Sequence, residues 1–238
     1  MICNGVDSSD LQSLIKIIDA EISKRSLLNH PFYTLWREGK LTLNHLRSYS
    51  KEYFQLVKAV PELVHNIQLN LVNAYAGNEY LNAVRNTHDE EHQHIQPWIK
   101  FAQSLGVDKR ELLEYEGNDE VNFAIKNLKK LCLSSICEGA SAMYSFEKEI
   151  PLISKAKIEG LKKFYNICTE EGTRYFNIHQ IADVEHARLW KTILLDFNIV
   201  RKTKALNENI LNASVSSLNS QNKILDAIYF NYVQDIIN

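Results

Sequence analysis

The segment His179-Gln180-Ile181-Ala182-Asp183-Val184-Glu185-His186-Ala187 places two imidazoles and a carboxylate at positions 179, 183 and 186. A helix advances about 100° per residue, so these three side chains fall within roughly 60° of one another. They share a stripe in a segment otherwise rich in Ile, Ala, Val, Leu and Trp. Burying such groups unpaired costs several kcal/mol on the order of transfer estimates, and a transition metal is the natural partner for neutral imidazole and ionised carboxylate. The plain alternative is a solvated helix face that carries histidines.

Two further segments offer ligands. In Thr87-His88-Asp89-Glu90-Glu91-His92-Gln93-His94, Glu90 and His94 are four apart and share a helix face. Glu91 and His94, three apart, can do the same, and His88 with His92 is a competing pair. In Ala140 to Glu149, Glu147 shares its face with Met143 and Ala140, whereas Glu138 and Glu149 lie out of phase and Lys148 points with Glu149 toward solvent. Glu90, His94, Glu147, His179, Asp183 and His186 together supply three carboxylates and three imidazoles. Three negative charges offset most of the four positive charges on two divalent ions. Inward-facing carboxylate and histidine sets of this kind build dimetal sites inside helical bundles. With no thiolate among the donors, iron or manganese is favoured over zinc.

Long periodic intervals between few breakers must position these groups; the chain has only eight glycines and four prolines. Asp10 is positioned to cap a first helix through about Leu28, with Leu11, Leu14, Ile15, Ile18 and Ile22 on its apolar face. Pro31 ends it, and residues 32–38 allow one or two turns before Gly39. Thr42 caps a helix to about Asn73 with a kink expected at Pro61. Further helices are expected over about 78–104, 108–114, 119–149, 155–167, 170–200 and 204–237. No alternating strand pattern, internal repeat or clear linker interrupts them. The expectation is an all-α fold, one metal-binding domain over 1–238 built from seven or eight helices, with 1–9 and the stretch from about 201 carrying the least signal.

Composition excludes several classes. Against 27 basic residues stand 29 acidic ones, a net charge of −2 that invites neither nucleic acid nor a membrane surface. No apolar run reaches the ~18 residues of a membrane span, and residues 1–9 lack the features of a secretory signal. Cys3, Cys132, Cys137 and Cys168 form no CxxC pair and read as reduced thiols of a cytoplasmic protein. Cys137 reads as a small core residue. His45 and His65 read as surface or supporting residues, His30 as a cap near Pro31, and Trp36, Trp98 and Trp190 as packing.

Four blocks carry a family resemblance: His30-Pro31-Phe32-Tyr33 with Trp36; Asp89-Glu90-Glu91 with His94 and Trp98; Tyr144-Ser145-Phe146-Glu147; and Tyr175-Phe176 through His186-Ala187-Arg188. Over about residues 10–195 the chain resembles the haem-oxygenase-like dimetal oxygenases. The resemblance is to the branch of the chlamydial proteins associating with death domains, relatives of quinone-cofactor synthesis protein C and thiaminase-like proteins. It implies a self-sacrificing para-aminobenzoate synthase for folate formation, in which two metals (Fe/Fe or Fe/Mn), O2 and an external reductant convert the enzyme's own tyrosine into product. The tyrosine position corresponds to Tyr33, the proposed amino-donor lysine to Lys157, and further family tyrosines to Tyr49 and Tyr175. The six ligands fall on the six residues named above. A homodimer is expected, and host death-domain proteins are partners by resemblance alone.

The chain departs from the family pattern twice. It lacks about three residues between Glu90 and His94, and a seven-residue separation shortened to four keeps the stripe with roughly 60° of drift, leaving Glu91 open in place of Glu90. Phe146 stands where a family tyrosine precedes the glutamate. On sequence alone, Lys157 reads as a solvated lysine and Tyr33 as a core aromatic; only the resemblance gives either a function. Two rival functions remain: a multiple-turnover dimetal oxidase of a small external substrate, and a helical protein-binding module with a structural metal site.

Overall fold

The computed structural model describes residues 8–198 and 204–234, with side chains from residue 12 onward. The described residues are helical, with no strand among them. The helices are α1 (Ser8–Lys24), α2 (Pro31–Glu38), α3 (Leu43–Asn73), α4 (Asn78–Ser104), α5 (Lys109–Glu114), α6 (Asp119–Ser134), α7 (Ile136–Glu147), α8 (Ile150–Phe164), α9 (Glu170–Asn198) and α10 (Lys204–Tyr232). No helix among them is long and apolar enough to cross a membrane. Cys3, Leu11's side chain and the expected helix ends at Val200 and Ile237 lie outside this description.

Local chemistry sets most boundaries. Helix α1 starts at Ser8, so Asp10 lies within it and not at its cap; Leu14, Ile15, Ile18 and Ile22 are buried as their spacing requires. Pro31 occupies the first turn of α2, where its missing N–H removes no helical bond. His30 Nδ1 accepts from the Phe32 amide and caps that helix. Thr42 and His45 form a reciprocal cap on α3, so His45 is a buried capping residue and not a surface one. Helix α3 continues unbroken through Pro61.

One expected helix is two. The segment 119–149 breaks at Ser135, which adopts an extended conformation (φ −157°, ψ 166°). Its hydroxyl accepts from the Glu138 amide and donates to the Glu138 carboxylate, 2.6 Å away. Ser135 is therefore the N-cap of α7, and the S-x-x-E pattern of a helix start is present in Ser135-Ile136-Cys137-Glu138. Likewise α8 begins at Ile150, five residues before its expected start, with Pro151 tolerated in its first turn.

Helix α7 forms the centre, packed against α6, α9 and α10; α3 packs on α4 and α6, and α9 also meets α4 and α8. From Gly139 to Glu147 every α7 residue is buried. A methyl at Gly139 would lie 2.9 Å from Ile67 Cγ1, so glycine permits the approach of α7 to α3. Hydroxyls Ser141 and Ser217 donate to the carbonyls of Ile210 and Ala142, joining α7 to α10 without unpaired polar groups.

A second close approach matters for the site. Gly160 on α8 lies against Trp36 on α2, whose indole donates to the Lys157 carbonyl at 3.2 Å. A Cβ at Gly160 would fall 2.5 Å from Trp36 Cδ1, and the fully buried ring has nowhere to retreat. Gly160→Ala is therefore expected to destabilise the protein by about 1–3 kcal/mol through overpacking. Chemical denaturation measures this; an unchanged midpoint would show that α2 and α8 do not meet so closely.

Candidate metal centre

The α9 stripe, the middle of α4 and the end of α7 converge. His179, Asp183 and His186 on α9 meet Glu147 from α7 and His94 from α4, all buried. The carboxylate that α4 buries in this cluster is Glu91, whereas Glu90 meets His186 from outside it. Glu91 is 5% exposed, whereas the Glu90 side chain is 53% exposed. Spacing could not separate them, because three- and four-residue offsets from His94 share one face. The 100° rotation between neighbours decides which one enters the core.

Glu91 stands between two ligand sets: with His94 and His179, and with Glu147, Asp183 and His186. Its Oε2 lies 3.4 Å from His94 Nδ1 and 4.0 Å from His179 Nε2; its Oε1 lies 3.4 Å from His186 Nδ1. His186 Nδ1 is also 3.4 Å from Asp183 Oδ1 and 4.0 Å from Glu147 Oε2. One carboxylate thus presents an oxygen to each set.

The outer contacts select which ring nitrogens face inward. His179 Nδ1 donates to the Tyr175 carbonyl at 2.7 Å, since a carbonyl can only accept, and Nε2 is left toward Glu91. His186 Nε2 donates to Glu90 at 2.9 Å, leaving Nδ1 toward the carboxylates. Glu90 therefore holds a ligand in place from outside, an arrangement that fixes ring orientation and raises ligand basicity. Trp190 does the same for Glu147, its indole donating to Oε2 at 2.6 Å, a role beyond packing.

Residues of this type fit metal. His94 Nδ1, His186 Nδ1, Glu147 Oε1 and Asp183 Oδ2 are buried without hydrogen-bond partners. Such atoms in one cluster need a cation or lose their solvation uncompensated. Electrostatics say the same. Burial pushes the His186 imidazole down, but Asp183, Glu147, Glu91 and Glu90 outweigh it and raise it to about 10. Burial, with Asp183 and Glu91 nearby, pushes Glu147 well above the usual carboxylate range.

A cavity of about 20 Å³, room for roughly one water, lies beside the cluster, lined by Glu91, Glu147, Asp183 and His179 on one side. Tyr53, Tyr175 and Lys157 line the other. Tyr175 stacks on the His179 ring (4.1 Å between centroids). Tyr33 stands beyond Lys157, whose Nζ lies 5.2 Å from the Tyr33 ring centroid, and its hydroxyl is 3.5 Å from that of Tyr49. Burial raises the Tyr33, Tyr49 and Tyr175 phenols well above their ordinary value, so all are neutral. Tyr53, which sequence reasoning missed, completes this ring cluster; its position four residues after Tyr49 was the available signal.

Lys157 is 3% exposed and not a solvated lysine. Burial alone lowers its ammonium from 10.5 to about 7, and its Nζ is surrounded by the rings of Tyr33, Tyr49, Tyr53 and Phe176 at 5.0–5.4 Å.

Two outcomes follow. If the two sets each hold a divalent ion, Glu91→Ala should lose both, while Glu90→Ala should keep them at ~10–100-fold weaker affinity; metal analysis after equilibrium dialysis distinguishes them, and two ions retained by Glu91→Ala would refute a role for Glu91 in both sets. Lys157→Met should stabilise the fold. Between about 10.5 and 7 the unfolded lysine is protonated and the folded one is not, so the penalty grows as pH falls and is complete below 7. The gain in melting temperature should be largest below pH 7 and shrink toward pH 10.5; a gain independent of pH would contradict a buried uncharged amine.

Comparison with known proteins identifies the family. Residues 19–217 match the TENA/THI-4/PQQC family. A 4-aminobenzoate synthase of Nitrosomonas europaea is 31% identical over 92% of each chain. Another from Chlamydia muridarum is 32% identical over 74% of this chain and 75% of its own. A Shewanella denitrificans domain described as having a haem-oxygenase-like fold superposes with a TM-score of 0.74 at 19% identity, covering 95% of this chain and 94% of that one. With this fold, and with a family match across most of its length, the chain belongs to the TENA/THI-4/PQQC family.

Proposed function

We propose that this protein is a 4-aminobenzoate synthase that makes its product from its own Tyr33, with Lys157 as amino donor and two divalent metals (Fe/Fe or Fe/Mn) held by Glu91, His94, Glu147, His179, Asp183 and His186. The names of the two relatives support the product. The observation that carries the internal source is the placement of Lys157: a buried amine against the Tyr33 ring, lining the ligand cavity. That cavity is too small for an external aromatic substrate, which argues against a multiple-turnover oxidase of such a compound.

The chemistry of the product fixes what must happen to the side chain. 4-Aminobenzoate carries a carboxyl where tyrosine carries Cβ and an amine where it carries the hydroxyl. The Cα–Cβ bond must break, Cβ must be oxidised to a carboxylate, and nitrogen must replace oxygen on the ring. When bound, the metal pair supplies the electrons and Lewis acidity that bring O2 into reaction, with an external reductant restoring them.

The chain's own residues hold the reactants. The Phe32 and Trp36 rings pack on Tyr33 with centroids 5.6 and 6.3 Å away, and the Tyr49 hydroxyl lies 3.5 Å from its own, fixing its ring. A positioned ring makes the oxidation intramolecular, where effective molarities reach ~10⁵ M or more. The Lys157 amine is about half neutral near pH 7 and so offers a lone pair. Tyr49 and Tyr175 extend the phenol cluster from Tyr33 to His179 and provide relays for electrons or protons. Phe146, close by in the cavity wall, has no hydroxyl and takes no part in such a relay.

Reconstitution with iron or iron plus manganese, reductant and O2 should yield at most one 4-aminobenzoate per chain and remove the hydroxybenzyl mass from the peptide containing Tyr33. Tyr33→Phe should give no product. Normal yield from Tyr33→Phe, or product beyond one per chain, would overturn the proposal.

A further inference from the structure

The ligand cavity and a cleft on the outside of the bundle are lined by neighbouring residues of the same helices and share Asp183. Along α7 and its junction with α8, Glu147 and Ile150 line the cavity while Lys148 and Pro151 line the cleft. Along α9, Asp183 lines both, and Val184 lines the cleft alone. The wall on one side is therefore the two-residue turn Lys148-Glu149 between helices, held by no α-helical hydrogen bonds of its own beyond the caps. On the other it is Asp183 of α9, which borders both spaces.

The cleft has a definite chemistry. It encloses about 270 Å³, near the lower bound of small-molecule pockets and suited to a single ring. Lys148, Arg188 and Lys191 line it beside the apolar Pro151 and Val184. Arg188 is paired with Glu185 at 2.8 Å. Lys148 lies over the Tyr144 ring at 5.6 Å, and neither it nor Lys191 forms an ion pair among the described residues. The acid of the junction, Glu149, turns away toward Ser26 and Leu27. Asp183, the remaining acid, is 2% exposed and faces His186. Two cations without ion pairs among the described residues, beside an apolar strip, match the chemistry of a small aromatic carboxylate.

We propose that this cleft is the port of the reaction cavity, and that it binds the aromatic carboxylate product as it leaves past Asp183 and the Lys148-Glu149 turn. The inference rests on the proposed function for the identity of the anion, but its binding test does not require turnover.

The test uses full-length Tyr33→Phe protein, which is not consumed. Binding of 4-aminobenzoate is measured by calorimetry and by saturation-transfer NMR, with neutral 4-aminobenzamide as the control. Lys148→Glu/Lys191→Glu should weaken 4-aminobenzoate binding by about 10-fold or more and leave the amide unchanged, and added salt should weaken the parent's binding in the same sense. Lys148→Ala/Lys191→Ala should give an intermediate loss. Equal 4-aminobenzoate affinity in parent and charge-reversed protein, or no binding to the parent, would overturn the port. Protein that forms 4-aminobenzoate yet does not bind it at the cleft would sink this inference and leave the reaction standing. Protein that binds it through Lys148 and Lys191 yet never forms it would do the reverse.

Discussion

Three carboxylates and three imidazoles are sealed inside a helical bundle, and the rest of the structure depends on how that charge is neutralised. An isolated buried charge carries a penalty of several kcal/mol. Here Glu91 faces ligands on both of its oxygens, and four polar atoms in the cluster have no hydrogen-bond partner. Two divalent ions against three carboxylates leave a single residual positive charge. The same crowding shows in the pKa values: the surrounding carboxylates outweigh burial and raise the His186 imidazole to about 10, and burial pushes Glu147 well above the usual carboxylate range. The outer residues Glu90, Trp190 and the Tyr175 carbonyl then set the direction from which each ligand acts.

Beside this centre the fold does the opposite with Lys157, burying an amine without a counter-charge. Burial is the single cause of its lowered pKa. Such an amine is costly to stability and reactive, a combination typical of functional sites. Its place depends on the contact of Gly160 with Trp36, which brings α8 against α2 and so brings Lys157 to Tyr33. The same strict packing that makes the bundle stable makes its reactants neighbours.

Much of this was legible in the chain. The 179/183/186 stripe needs only the helical period, and the apolar spacing of α1 and α3 needs no more. Glu91 was not decidable, because two adjacent acids both share a face with His94 and only the rotation of α4 against α7 and α9 chooses between them. The break at Ser135 was decidable, since Ser135 and Glu138 spell the S-x-x-E pattern of a helix start, but the apolar run on both sides masked it. Lys157 defeats composition altogether: Lys155-Ala156-Lys157 reads as solvated, and only the α8 face meeting Tyr33 and Tyr53 removes it from water. Supporting roles such as that of Trp190 depend on contacts distant in sequence, which no local pattern records.

Anomalous diffraction from crystals of the metal-loaded protein tests the account most directly. It predicts two peaks sharing the Glu91 carboxylate, one beside His94 and His179 and the other beside Glu147, Asp183 and His186. A single peak, ions lodged elsewhere, or a loaded protein in which Glu91 touches neither ion would contradict it.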